Sequence, residues 1–470
     1  MRTLYTWGLN LLVLIVGLTI CLYVYNNANA AGYDKLYLLP LTYVVVFFLV
    51  LSHCLLRRFN IFLIVFTGIS FARYVILPCL IVYTGYYGGR SPEPPLAGSL
   101  HKAIYLMIYE LIAIALTIII LELVLAKKWK PPVKAEELSD QSRRDGFLLF
   151  SVVGLIAVIV IPNAASTITF LFPKDGLVDV VSNNNTLSML GTYLFIIAKQ
   201  LLFLLGIYAC HKGYKRTMKK RYLLAAVLLL IINIGIFVGT NRSDIVLSAI
   251  VSLIVFQRLF PRFFKWVAMG TGSLLVTIIS LMGQVRNIAS ISGGNSALVD
   301  FTDNLQVYFG GPYNVALAVE TKLLYPEVQN LSVLFFDIFR PMIGINVLVK
   351  NLPFTYSNIF FNHRYYYAAQ ETQILPIIGQ GNIFFGYVAA PLFSVLTVCL
   401  AYYLCLKINR TRSLAMFYFL TLVCTRLGMV MGQNTMNIVN DLSYNLFLFL
   451  IIYALSSLFV FKRKEGESLK

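Results

Sequence analysis

The sequence predicts an all-α polytopic membrane protein, and three observations carry that prediction. Of 470 residues, 59% are hydrophobic and only 12% are charged, with a mean hydropathy of +0.78. Soluble domains are nearer ~25% charged. Apolar runs of about 20 residues, enough to cross ~30 Å of hydrocarbon as a helix, recur along most of the chain. One segment, residues 283–380, breaks that rhythm with mixed aromatic, Asn-rich and Arg-bearing sequence.

Taken in order, twelve spans are expected: 9–25, 36–56, 60–82, 103–126, 147–162, 187–209, 222–239, 243–257, 266–283, 381–406, 413–430 and 443–461. The first is long enough to span, and no small-residue cleavage site follows a basic start, so it reads as a helix and not as a signal peptide. The seventh and eighth are separated only by Gly239-Thr240-Asn241-Arg242, a tight hairpin or a break within one helix. The expected organisation is a bundle of about nine helices over 1–282, a large external loop over 283–380, and about three helices over 381–470.

Orientation follows from charge. With both termini cytoplasmic, 25 of the 38 Lys and Arg fall on the inner side, 10 on the outer side and three in the membrane. That is the positive-inside pattern. The net charge of +18 is then topology plus attraction to anionic inner-leaflet lipid, and needs no nucleic-acid partner. The 283–380 loop lies outside. The seven Cys all sit in or beside apolar spans and form no CxxC, so neither a disulfide framework nor a zinc site is expected.

Four charges fall where charge is expensive: Arg73, Glu110, Lys199 and Arg426. Each is a functional candidate by default. The plainer readings are an Arg73–Glu110 pair on adjacent helices and a snorkelling or packing Lys199. Arg242 lies at an outer mouth, in GTNRSD, with Ser243 or Asp244 as helix cap; an Arg beside a helix N-terminus is a ready anion site.

Within the loop, Arg286 leaves the ninth span, Tyr313-Asn314 follow a Gly/Pro turn that opens a helix over 315–324, and Arg340 precedes Pro341. His363, Arg364, Tyr365, Tyr366 and Tyr367 form a basic-aromatic run, with Glu371 shortly after. His363 is the loop's one histidine and can accept a proton near neutral pH. Asp300-Phe301-Thr302-Asp303 is the nearest approach to an acidic metal motif, and a helix cap or solvated turn accounts for it better. There is no P-loop. The apolar stretches 333–336 and 343–349 suggest amphipathic or re-entrant helices in the outer leaflet.

Four stretches carry a family resemblance: FVGTNRSDIVLS (237–248), GQVRNIAS (283–290), VYFGGPYNVALAVE (307–320) and LPIIGQGNIFFGYVAAPLFSVL (375–396). With the span layout and one outsized external loop, the chain resembles the bacterial O-antigen and capsular repeat-unit polymerases of the Wzy family. That resemblance implies a C-type glycosyltransferase-like fold in the bacterial cytoplasmic membrane. It implies a metal-independent enzyme without cofactor that moves a growing glycan from undecaprenyl diphosphate onto the next lipid-linked repeat unit. The implied partners are the undecaprenyl-diphosphate-linked oligosaccharide, the bilayer, a chain-length co-polymerase and a flippase.

By position, the diphosphate ligands would be Arg242, Arg286, Arg340, Arg73 and Arg426. The catalytic set would be His363, Arg364 and Glu371, with His363 assigned by analogy to the O-antigen ligases. Tyr365, Tyr366, Tyr313 and Asn314 would face sugar. The competing readings are a flippase for the same lipid-linked glycan, which should show two similar halves, and an O-antigen ligase-type transferase, which differs only in acceptor.

Overall fold

A computed structural model describes residues 2–161, 163–171, 186–238, 242–285, 296–349, 351–353, 355–366 and 373–459. The described chain is almost entirely helical. In order it runs α1 (Arg2–Asn27), α2 (Leu38–Arg57), α3 (Ile61–Thr84), α4 (Ala97–Leu125) and α5 (Arg144–Val160). Strand β1 (Ile168–Phe170) leads to α6 (Thr186–Thr217), α7 (Lys220–Gly235), β2 (Ile236–Val238), α8 (Arg242–Leu259) and α9 (Phe264–Val285). The loop holds α10 (Ala297–Phe309), α11 (Pro312–Leu324), α12 (Leu331–Phe339), α13 (Ile345–Val349) and α14 (Ser357–Tyr366). The chain continues with α15 (Ile377–Ala389), α16 (Leu392–Arg410), α17 (Leu414–Leu427) and α18 (Thr435–Ser456).

Among the described residues seven helices are long and apolar enough to cross a membrane: Gly8–Asn27, Leu38–Arg57, Ile61–Thr84, Ala97–Lys128, Leu190–Thr217, Leu392–Arg410 and Thr435–Ser456. The protein is a multi-pass membrane protein. The other five expected segments are helical too, as α5, α7, α8, α9 and α17, without meeting the same length and apolarity. The expected span at 381–406 is two helices. Gly386, at φ 72 and ψ −176, breaks the helical path inside α15, and α16 begins only after Pro391. The last span starts at Thr435, eight residues before 443, because Asn434 caps it by accepting from the Asn437 N–H at 2.8 Å.

The chain forms two compact units. One comprises 1–130, 289–406 and 423–443; the other comprises 131–288, 407–422 and 444–470. In the first, α11 is the centre, packed against α4, α14 and α15. Every residue from Pro312 to Thr321 is buried. A helix covered all round belongs inside the fold, so α11, expected from the sequence only as a helix, is a core helix. Pro312 stands at its first position, where a missing N–H costs nothing, and the helix starts three residues before the expected 315. Gly379 and Gly381 of the GQG motif permit close approach. A Cβ on Gly379 would lie 2.4 Å from that of Ala318 on α11, and one on Gly381 would lie 1.9 Å from the Ala390 carbonyl.

In the second unit α6 packs between α5 and α7. Strands β1 and β2 pair antiparallel, Ile168 opposite Val238 and Phe170 opposite Ile236. Lys199, in mid-span, caps the end of α7: its Nζ donates to the carbonyls of Asn233 and Ile236, each at 2.7 Å. Free carbonyls are costly in hydrocarbon, and a cation suits a helix C-terminus.

Candidate functional site: the arginines of the 283–380 segment

Arg73 sits in a π-helical stretch of α3, Ala72–Ile76, and is fully buried. Its Nη1 donates to Glu110 Oε2 at 2.7 Å, and its Nε and Nη2 donate to the Gly310 carbonyl at 3.1 and 2.8 Å. Glu110 Oε1 accepts from Ser394 Oγ at 2.7 Å. Gly310 ends α10 in the left-handed region, φ +59, which turns its carbonyl toward the arginine. One buried pair thus joins α3, α4, α16 and the turn that opens α11. The structure places Arg73 in this pair and not on an open anion cavity, because it is fully buried with three of its donors bound inside the fold.

Arg364 is also internal. Its Nε and Nη2 donate to Glu320 Oε2 at 2.9 and 2.6 Å, and its Nη1 donates to Ser91 Oγ at 3.2 Å. Glu320 Oε1 accepts the Leu96 N–H at 2.7 Å. Beside it, Arg90 Nη2 lies 2.6 Å from Asp303 Oδ2, and Tyr86 donates to Asp303 Oδ1 at 3.1 Å. Burial raises the Asp303 carboxyl, against the pull of Arg90. The acids of 300–303 therefore lie within α10, and Asp303 is a buried partner instead of a solvated turn. Together the two ion pairs hold the 86–96 connection against the loop helices.

Three of the four expected sugar-facing residues are core. Tyr313, Asn314 and Tyr365 are each no more than 1% exposed. The Tyr313 ring covers Gly89, whose Cβ would come within 2.1 Å of it, and meets Tyr365 edge-on at 6.2 Å. Tyr366 stays half-buried, and its hydroxyl accepts from Gln373 Nε2 at 2.6 Å. His363 and Arg364 are consecutive but separate: Arg364 is buried against Glu320, while His363 is half-buried with its ring 6.4 Å from that of Tyr325. Arg426 donates to Asp441 through Nε and Nη2. Arg242 opens α8, with its side chain outside the described set; Arg286, Tyr367 and Glu371 lie outside the described residues.

Arg340 differs. It follows α12, is half-buried, and its guanidinium lies 4.1 Å over the Tyr356 ring and 5.6 Å from that of Phe336. Among the described residues no carboxylate forms an ion pair with it. The nearest acid along the helix, Asp337, feels the Arg340 charge but accepts its hydrogen bonds from other groups. Its carboxylate accepts from Ser357 N at 2.9 Å, Ser357 Oγ at 2.5 Å and Gln380 Nε2 at 2.7 Å. Burial pushes the Asp337 carboxyl up to about 6. Gln380 completes the lock with Thr435, donating to its hydroxyl at 2.8 Å and accepting its N–H at 2.9 Å. Close by in sequence, Leu331 and Phe335 of α12 and Val347 and Leu348 of α13 are exposed apolar residues.

The Asp337, Glu320, Asp303 and Arg90 partnerships were not read from the sequence. The signals were present for two of them: Glu320 closes the 307–320 stretch, and Gln380 stands between the two glycines of GQG. Comparison with family models, with curated proteins and with solved structures gives no match.

Proposed function

We propose that this protein polymerises lipid-linked oligosaccharide repeat units at the outer face of the cytoplasmic membrane. The growing glycan passes from undecaprenyl diphosphate to the next lipid-linked unit. One observation supports the reading: Arg340 stands on aromatic rings with no ion-paired carboxylate among the described residues, just after a helix that exposes Leu331 and Phe335. A planar guanidinium left uncommitted is a bidentate ligand for phosphate. An apolar exposed helix face beside it suits a lipid-borne anion.

In this reading Arg340, with Arg242 and Arg286, holds the donor diphosphate. The acceptor hydroxyl oxygen attacks the anomeric carbon, and the bond from that carbon to the phosphate oxygen breaks. Its electron pair leaves on the diphosphate, where the arginines stabilise the new charge. The hydroxyl proton goes to His363 or Glu371. Tyr366 offers the half-buried ring to sugar. Arg73 acts at one remove by holding the Gly310 turn to the spans, Arg364 by holding α14 to α11 and to the 86–96 connection, and Arg426 by tying α17 to α18 through Asp441.

The test is reconstitution. Purified protein in vesicles receives undecaprenyl-diphosphate-linked repeat unit and EDTA, and the products are resolved by size. A ladder of longer glycans is the expected result. A competent substrate that yields no ladder overturns the polymerase reading, and movement of intact substrate across the bilayer in the same vesicles would favour a flippase.

A further inference from the structure

The second unit carries a groove that the polymerase reading leaves unused. It is a cavity of about 200 Å³ between the start of α5, the last third of α6 and the start of α17. Its floor is apolar, with Phe147, Leu204, Leu205 and Leu414, and Arg144 and Lys212 line its edge. Both cations are exposed.

Helix length sets the level of this groove. At 1.5 Å per residue the 32 residues of α6 exceed the ~30 Å of hydrocarbon, so one end of the helix stands in the headgroup layer. That end is basic, with Lys215 and Arg216 in the last turn and Lys212 just before. Lys212 also lies 5.3 Å over the Tyr208 ring, an arrangement that runs its stem along apolar surface with the ammonium at the rim.

We propose that this groove binds one anionic glycerophospholipid of the leaflet at the basic end, which the charge distribution makes the cytoplasmic one. The phosphate sits between Arg144 and Lys212, and an acyl chain lies along Leu204, Leu205 and Phe147. Charge complementarity selects the occupant. An apolar floor alone would accept any lipid tail, whereas two cations at the headgroup level favour an anionic head. The one acid on the lining, Asp140, is turned to the protein: its Oδ2 accepts the Ala415 N–H at 2.8 Å, and burial raises its carboxyl.

The test is lipid retention by native mass spectrometry. Protein is released from vesicles of phosphatidylcholine alone or from an equal mixture with phosphatidylglycerol. Wild type should keep one phosphatidylglycerol and no phosphatidylcholine. The double variant Arg144→Gln/Lys212→Gln should retain it roughly thirtyfold less well. Leu205→Trp, which fills the floor and leaves both cations, should also lose it. Lys220→Gln/Arg221→Gln, basic residues off the groove, should keep it. Equal retention of both lipids, retention by the double variant, or displacement of the lipid by inorganic phosphate would each overturn the proposal.

Discussion

Arg73 and Arg364 are buried, each on a carboxylate, and each joins pieces of chain far apart in sequence. Arg340 belongs to the same compact unit, is half-buried, and rests on Tyr356 with no carboxylate in the described set. The contrast separates two uses of one residue type. A guanidinium already bound to Glu110 and the Gly310 carbonyl, or to Glu320 and Ser91, is part of the scaffold. A guanidinium stacked on rings, with no ion pair among the described residues, keeps its hydrogen-bonding edge for something else. Counting arginines on one side of a membrane therefore overstates how many can meet an anion.

The largest expected effect falls on the scaffold. Arg73→Ala leaves the fully buried Glu110 carboxyl without its cation, with Ser394 as its remaining partner among the described residues. Breaking a buried pair in this way costs about 3–5 kcal/mol. Thermal unfolding in detergent should show a large loss, and Arg73→Met/Glu110→Leu should recover part of it, because no lone charge remains. If Arg73→Ala unfolds at the wild-type temperature, the pair is not structural and the contrast with Arg340 fails. Arg364→Ala should cost somewhat less, about 2–3 kcal/mol, since this pair is slightly more open at 4% and 6% exposure. Proteolysis between residues 86 and 96 should then rise, because that connection loses its hold on α14.

Asp337 tests the platform that carries Arg340. Its carboxyl is raised from 3.8 to about 6 by burial, so the folded state holds the proton more tightly than the unfolded chain. Its contribution to stability is present below the unfolded value and is lost as pH rises through the folded one. The size is on the order of 3 kcal/mol. Stability measured from about pH 4 to pH 6 should fall more steeply in wild type than in Asp337→Asn, even though the variant is weaker overall. Parallel pH profiles would mean that the carboxyl is not perturbed and that the lock with Ser357 and Gln380 is loose.

These elements were unequally legible. Spans of about 20 apolar residues are written locally, and helices formed at nearly all the expected places. The tenth expected span starts later than 381, at Leu392, because hydropathy averages over the break at Gly386 inside α15 and the turn at Pro391 before α16. The Arg73–Glu110 pair was readable because two isolated charges in adjacent spans need partners. The partners of Arg364 and Arg90 were not, since Glu320 lies 44 residues from Arg364 and Asp303 lies 213 from Arg90. The 307–320 stretch singles out Glu320, but nothing local names the partner of either acid. Tyr313, Asn314 and Tyr365 looked like sugar-facing residues because an aromatic-polar run reads the same whether it faces solvent or the core. Only packing against Gly89, α4 and α15 decides that, and packing is a long-range property.

Arg340→Ala should have the smallest effect on folding and the clearest on function. Among the described residues it removes two ring contacts and no ion pair, so the expected loss is about 1 kcal/mol or less. In the reconstituted assay it should abolish long glycans at unchanged protein level. Arg340→Lys should recover little, because an ammonium keeps the charge but not the planar fork that meets two phosphate oxygens. His363→Ala should likewise spare folding, since the ring makes no described hydrogen bond, and should abolish the ladder if this histidine takes the proton. The two variants differ in what rescues them. A proton-transfer defect shifts the pH dependence of the rate, whereas a lost phosphate ligand lowers the rate at every pH and weakens competition by added pyrophosphate. Normal polymer length in Arg340→Ala would move the anion site to Arg242 and Arg286, and would leave Arg340 as one more scaffold arginine held by aromatic rings in place of an acid.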